Sequence, residues 1–592
     1  MSAPEHYTFG PTLGPEGVRF RLFAPGVRAV QVVVDDEECT MLPRRGGWFE
    51  LLMPGAGAAT RYAFRIDDAE RLVPDPASRF QPDGVHGRSE VVDLTPLHGG
   101  EFPERPWAEC VLYELHVGTF SESGTYRGAI ERLDHLVDLG VTAVELMPLA
   151  QAPGARTWGY DGVLPYAPSN VYGTPAELAQ FIGEAHHRRL AVFLDVVYNH
   201  FGPEGNYLHG YAPAFFTERY ATPWGAAIDY STDDVRAFFI ENARYWLAEY
   251  GFDGLRLDAT QMIFDERTPS VLEDLRASID AWARERGRRV HLVVENDAND
   301  VRLLRAGYAA QWNDDFHHAV HVLATGERAG YYGDYAARPG WYLGRTLTEG
   351  FAYQGEPSAH HDGAVRGAPS VDFPLTAFVD FIQNHDQIGN RARGERLTML
   401  APPEAARAAA AVMLLAPSPP LLFMGEEWAA STPFLFFCDF EPQLARLVTE
   451  GRRREFAAFP EFADAQAREG IPDPSAPETF ARCRLRWDER ATGGHAAMLA
   501  HYRALLRVRS AEIAPRTGTV TGRDGRFVLS GGRGIRAAWA LGSETLHADI
   551  NLSPEPSAGF PDMLAGRSIF ATHGEAYPGG VAPPWSVRWS IA

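Results

Sequence analysis

Eight segments with the two-residue period of strands alternate with segments of helical period between Val111 and about Ser510, and several strand-like segments end in polar clusters. This pattern predicts an α/β protein built on a (β/α)8 barrel, whose chemistry belongs at the C-terminal ends of its strands. All-β patterning in the first hundred residues and a β-rich tail from about Pro515 predict a β domain at each end. The expected units are therefore 1–100, a barrel over 101–514 with a short insertion around 201–231, and 515–592.

The elements follow in chain order. "GVRFRLFAP" and "AVQVVVDD" alternate in the strand period, with turns at "RRGGW" and "PGAGA". This region reads equally well as a packing module or as a sugar-binding one. "VLYELHVGTF" opens the barrel. "YRGAIERLDHLVDLG" then places Ile130, Leu133, Leu136 and Val137 at helical spacing. After the strand "VTAVELMPL", "TPAELAQFIGEAHHRRL" starts with Thr174 as N-cap and Pro175 at the first helical position. "AVFLDVVYNH", "FDGLRLDAT" and "RVHLVVEND" are the next strands, the last two preceded by the helices "DDVRAFFIENARYWLAEYG" and "SVLEDLRASIDAWARERG". "AAQWND", "TAFVDFIQNHD" and "PPLLFMGEEW" complete the eight, with the helix "PEAARAAAAVMLL" between the last two and a closing helix near Gly494–Ser510.

Composition excludes several functions. The chain has 592 residues, 45% hydrophobic, and a net charge of −22, which argues against a nucleic-acid partner. It contains no lysine, so Schiff-base chemistry, pyridoxal phosphate attachment and a phosphate-binding P-loop lysine are all ruled out. Cys39, Cys110, Cys438 and Cys483 are scattered without a CxxC pair, so neither a zinc site nor a disulfide framework is expected. The N-terminus lacks a signal-peptide pattern and no apolar run is long enough for a membrane helix, which reads as a soluble cytoplasmic protein without a membrane partner. No cofactor or metal is expected, and the oligomeric state is not legible.

Strand alternation puts Arg256 and Asp258 on one face of "FDGLRLDAT" and Leu255 and Leu257 on the other, so the charged face must open onto a site. A lone strand-end Asp is more often a cap. Here four clusters recur at the same end of the βα unit: Asp195 with Asn199 and His200, Arg256 with Asp258, Glu295 with Asn296 and Asp297, and His385 with Asp386. Carboxylates in excess of one arginine suit a cationic transition state such as the oxocarbenium-like sugar of glycoside cleavage. Arg256 would keep Asp258 ionised as a nucleophile, and Glu295 would need a raised pKa to serve as the acid.

"DVVYNH", "GLRLDA", "VVEND" and "QNHD", in this order, resemble the four signature regions of the α-amylase family of retaining glycoside hydrolases. The resemblance spans essentially the whole chain. It implies an N-terminal β-sandwich of carbohydrate-binding type and a small C-terminal β domain. It also implies that Asp258 is the nucleophile, Glu295 the acid/base and Asp386 the transition-state stabiliser. His200, Arg256 and His385 would grip the reacting sugar, with Asp195 and Asn199 supporting them.

Within the family, "VVENDAND", "QWNDDFHHAVH" and "FIQNHDQIGN" look closer to members that release trehalose from trehalose-capped maltodextrin than to branching enzymes. The bond cut would be the α-1,4 linkage next to the terminal trehalose. Substrate contacts are expected from Tyr160 and Gln387 and, in a loop on the leaving-group side, from Asp314, Asp315, His317 and His318. Branching or debranching of α-1,6 bonds is the alternative within the family; a non-catalytic α-glucan-binding protein is the alternative outside it. The sequence departs from the wider family at Gln261, where many amylases carry lysine.

Overall fold

In a computed structural model of the chain, residues 7–97 and 104–592 are described, so the boundary expected at 100/101 lies outside the described residues. Two antiparallel sheets form the N-terminal sandwich. One contains Gly17–Phe23 paired with Trp48–Met53, and the other Val30–Val34 paired with Arg61–Ile66. Val18, Phe20 and Leu22 meet Val32, Tyr62 and Phe64 between the sheets, all nearly or fully buried, and the Phe20 and Tyr62 rings lie 4.7 Å apart. Gly46 and Gly47 make the "RRGGW" turn at φ 75° and 84°. A Cβ on Gly47 would also fall 2.6 Å from Pro25, so the turn requires glycine there.

The eight predicted strands form one parallel sheet: β1 (Leu112–Leu115), β2 (Ala143–Leu146), β3 (Ala191–Val196), β4 (Gly254–Leu257), β5 (His291–Val294), β6 (Ala310–Trp312), β7 (Phe378–Val379) and β8 (Leu421–Phe423). They follow chain order around the ring, with β8 beside β1. The ring closes between β7 and β8, where the Asp380 N–H donates to Pro419 O (3.1 Å) and the Leu421 N–H to Asp380 O (2.9 Å).

Inside the barrel, Leu112, Ala143, Phe193, Val293, Trp312 and Leu421 pack into a buried apolar plug. Gly254 makes room for it, because a Cβ there would lie 2.3 Å from the Phe193 ring. One step further along the strands the interior turns polar at Glu114, Glu145, Asp195 and Arg256, each at most 2% exposed. Leu255 and Leu257 take the opposite face of β4 and are fully buried, as alternation requires.

The helix over the second βα connection, Pro175–His187, has the predicted Thr174 cap, completed into a capping box by Glu177. Ser270 and Glu273 start Val271–Glu285 in the same way. The first connection departs from expectation. It breaks into α1 (Tyr126–Ile130) and α2 (Leu133–Leu139), and the buried stripe of α2 runs Leu133, Leu136, Leu139, leaving Val137 43% exposed. A second departure concerns "NDDFHH": from Asp314 it is the first turn of a regular helix, α3 (Asp314–Thr325), rather than a loop.

The C-terminal unit is a five-stranded antiparallel sheet over residues 525–591. Trp539 and Trp589 stack in its core at 5.5 Å, and the Trp539 indole donates to Leu347 O (2.9 Å) in the barrel helix α4 (Pro339–Glu349), fixing the sheet to the barrel. Among the described residues no helix is long and apolar enough to cross a membrane.

Candidate active site

Arg256 is the hub of the site. It is 1% exposed, and its guanidinium lies over the Trp312 ring at 4.1 Å, so the apolar plug supports it from below. Its Nη1 donates to Asp195 Oδ2 (2.6 Å) and Asp258 Oδ1 (2.9 Å), and Nη2 reaches Glu295 Oε2 at 2.7 Å. Burial works against its charge, but the fields of Asp195, Glu295, Tyr160 and Asp258 outweigh it and hold the group protonated.

Asp258 follows the last residue of β4 and is 9% exposed. Its second oxygen accepts from Asn199 Nδ2 at 2.7 Å, so both oxygens are fixed. Ala259 then turns left-handed (φ 39°, ψ 55°), uncommon for a residue with a side chain, and its N–H donates to Glu295 Oε2 (2.9 Å). Thr260 completes the clasp, donating from its N–H (2.9 Å) and its hydroxyl (2.7 Å) to Glu295 O. Burial is the main cause of a Glu295 pKa well above the usual carboxylate range; Arg256 opposes it, while the charges of Asp258, Asp386 and Asp314 reinforce it. A carboxyl whose pKa is raised in this way suits the role of general acid.

The other predicted residues gather around this hub. The Tyr160 hydroxyl donates to Asp195 Oδ2 (2.6 Å) and its ring stacks on His385 (5.1 Å, 23°). His200 bonds to Asn199 through Nδ1 and to Tyr160 O through Nε2 (2.9 Å); burial lowers its pKa. Its ring lies 3.9 Å from that of Trp224, which is 44% exposed at the tip of a hairpin within the 201–231 insertion. His385 pairs through Nδ1 with Glu114, whose other oxygen accepts the His385 N–H (3.1 Å). Burial lowers the imidazole pKa, but Glu114 and Asp386 raise it more, so the net shift is upward.

Glu295 and Asp386 open onto a cavity of about 270 Å³, lined also by Asp314, His318, Gln387 and Gln261. Gln387 Nε2 donates to Asp314 Oδ1 (3.1 Å). Burial, reinforced by the charges of Asp386, Asp297 and Asp315 and opposed by Arg366, pushes the Asp314 pKa up to about 7.

Two of the expected substrate contacts are placed elsewhere, which corrects that part of the sequence reading. Asp315 is fully buried. Its oxygens accept from Arg366 (2.8 Å), Asn299 (2.8 Å), the Ala352 N–H (2.6 Å), the Tyr353 N–H (3.0 Å) and the Tyr335 hydroxyl, so it fastens α3 to the 350s segment. His317 is 1% exposed and spans Ile382 O (2.8 Å) and the Tyr332 hydroxyl (3.0 Å). Helical geometry explains the split: side chains one position apart point about 100° apart, so Asp314 and His318, at i and i+4, share the cavity face.

Sequence reasoning missed Glu114, although "LYEL" carries the same signal as "GLRL", a charge within an apolar strand. It also missed the far wall, formed by Tyr331, Asp334, His360, His361 and Arg366. These residues lie in a short 3-10 turn, a two-residue strand and irregular chain, all too short to leave a periodicity that marks them.

A closed (β/α)8 barrel with this carboxylate and guanidinium arrangement at its strand ends defines an α-amylase-class glycoside hydrolase. Two family models agree: the alpha-amylase catalytic domain over residues 113–221, and carbohydrate-binding module 48, the isoamylase N-terminal domain, over residues 8–78. A malto-oligosyltrehalose trehalohydrolase from Deinococcus radiodurans is 43% identical over 554 residues, covering 90% of this chain and 89% of its own. One from Saccharolobus solfataricus is 39% identical over 523 residues, covering 85% and 87%. The crystal structure of a Salmonella typhimurium protein described as an alpha amylase superposes with a TM-score of 0.91 at 42% identity, covering 99% of this chain and 100% of that one. The chain belongs to the malto-oligosyltrehalose trehalohydrolase family.

Proposed function

We propose that the protein hydrolyses the α-1,4 bond joining a maltodextrin chain to a terminal trehalose, releasing trehalose with retention at the cleaved anomeric carbon. The observation that carries this reading is the single Arg256 guanidinium that ties Asp258 to Glu295, which lines a cavity together with Asp386.

Glu295, kept protonated by burial, donates its proton to the glycosidic oxygen while Asp258 attacks the anomeric carbon. Trehalose departs, leaving the maltodextrin bound to Asp258 as an ester. Glu295, now ionised, takes a proton from water, whose oxygen attacks the same carbon and frees Asp258. Arg256 holds Asp258 in place by an ion pair, and Asp386 and His385 hold the hydroxyls of the sugar as it flattens. Asp314, His318 and Gln387 sit where the leaving trehalose would make its contacts. In this reading 1–100 is a glucan-binding-type sandwich, 101–514 the catalytic barrel and 515–592 a supporting β unit. The four unpaired cysteines fit a reducing cytoplasm.

The test is a comparison of malto-oligosyltrehalose with maltodextrin of equal length. The capped chain should be cleaved with the higher kcat/KM, with free trehalose as product. Equal rates on both would overturn the substrate assignment, and new α-1,6 linkages would replace it with branching.

A further inference from the structure

A second cavity lies away from this chemistry. A crevice of about 590 Å³ separates the barrel from the C-terminal sheet, bounded by the end of α3, the start of α4 and the turns around Gly532 and Ser553. Its volume falls within the range of small-molecule sites.

The charge of its lining runs opposite to that of the chain. The protein carries 77 acidic residues against 55 basic ones, yet the charged groups lining this crevice are Arg328, Arg338 and Arg533, with no Asp or Glu. Neither Arg328 nor Arg533 has an ion-pair partner among the described residues. Arg338 lies over the Trp341 ring at 4.5 Å, which holds its guanidinium without neutralising it. About two turns along α4, Arg345 behaves differently, pairing with Glu349 (3.1 Å) and Glu356 (2.6 Å). The C-terminal end of α3 and the N-terminal end of α4 both face the crevice, and their opposed dipoles offset one another, so the arginines set its sign.

We propose that this crevice binds a small phosphate-bearing anion. Guanidinium groups match phosphate oxygens in paired hydrogen bonds, and three solvent-accessible ones line this crevice with no carboxylate in its lining to compete. The remaining volume and the Trp341 and Trp585 side chains leave room for an organic body on the phosphate, such as a sugar.

The test is calorimetric titration of the full-length protein, at low salt, with glucose 6-phosphate, inorganic phosphate and glucose. Glucose 6-phosphate should bind saturably. Its affinity should fall at least about tenfold in Arg338→Gln/Arg533→Gln, and glucose should not bind. Tighter binding of the sugar phosphate than of inorganic phosphate supports a phosphorylated sugar as the ligand; equal binding supports phosphate recognition alone. The substituted side chains line an open crevice outside the catalytic machinery, and an unchanged melting temperature would confirm that the variant is folded. No binding of either phosphate compound, or the same affinity in the double variant, would overturn the proposal.

Discussion

The two walls of the catalytic cavity are built on different principles. At the wall reached from the ends of β3, β4 and β5, Asp195, Asp258 and Glu295 all share Arg256, and Glu295 brings this charge network to the cavity. The wall formed by α3 and the segments around Tyr331 and His361 also holds tied groups, such as Arg366 on Asp315, but presents less fully paired ones beside them. Asp314 receives a hydrogen bond from Gln387, and His318 Nδ1 is buried without a hydrogen-bond partner among the described residues. A pre-organised network favours bond chemistry, because its dipoles need not reorganise as charge develops. Groups with unused hydrogen-bonding capacity favour recognition, since a ligand that satisfies them gains what an ill-fitting one forfeits. The comparison teaches that rate resides in the first wall and choice of substrate in the second.

The largest effects should come from breaking the first wall. Asp258→Ala should lower kcat at least about 10³-fold on any glucan, with the melting temperature little changed. Glu295→Gln should lose about 10²- to 10⁴-fold on the natural substrate and recover much of the first step, read as a burst of fluoride release, on a glucosyl fluoride, whose leaving group needs no proton. Equal losses on both substrates would reduce Glu295 to a structural role.

The second wall is sharpened by two neighbours. Asp315→Ala leaves the buried Arg366 without its carboxylate and should cost about 3 kcal/mol of stability, read as a lower melting temperature. Substrate preference should change little beyond that loss. Asp314→Asn should do the reverse, keeping stability and moving the pH profile. The charge of Asp314 helps to keep the Glu295 proton in place, so the neutral amide should shift the alkaline limb of kcat/KM to lower pH. An unmoved limb would separate Asp314 from the acid.

How much of this was legible in the sequence follows from where each wall sits. All eight strands and most barrel helices were readable because burial on both faces of a strand, or on one stripe of a helix, leaves a period. Arg256 and Asp258 stood out because they violate that period. Asp315 and His317 were misplaced because a run of polar residues was read as a loop; only the helical frame of α3 separates Asp314 and His318 from their neighbours. His360 and His361 had no local signal, since they reach the cavity through the return of a long irregular connection.

The smallest predicted effect lies beneath both walls. Glu145 is 1% exposed, neither of its oxygens has a hydrogen-bond partner among the described residues, and burial raises its pKa well above the usual range, helped by Glu114 and Asp195. The folded state therefore binds this proton more tightly than the unfolded state does. Stability from this group is fully present below the unfolded value of about 4.3 and declines as pH rises from there through the raised folded value. Glu145→Gln removes that dependence, so the variant should lose less melting temperature between acid and neutral pH than the unmodified protein. Identical slopes would mean that Glu145 is not carrying a proton.

The most direct test of the account is to trap the intermediate. Glu295→Gln should be treated with a malto-oligosaccharyl fluoride, digested and examined by mass spectrometry. With the leaving step rescued and the hydrolytic step starved of its base, the account predicts a glycosyl adduct on the peptide carrying Asp258, at its carboxylate. No adduct together with inversion at the anomeric carbon, or an adduct on another carboxylate, would contradict it.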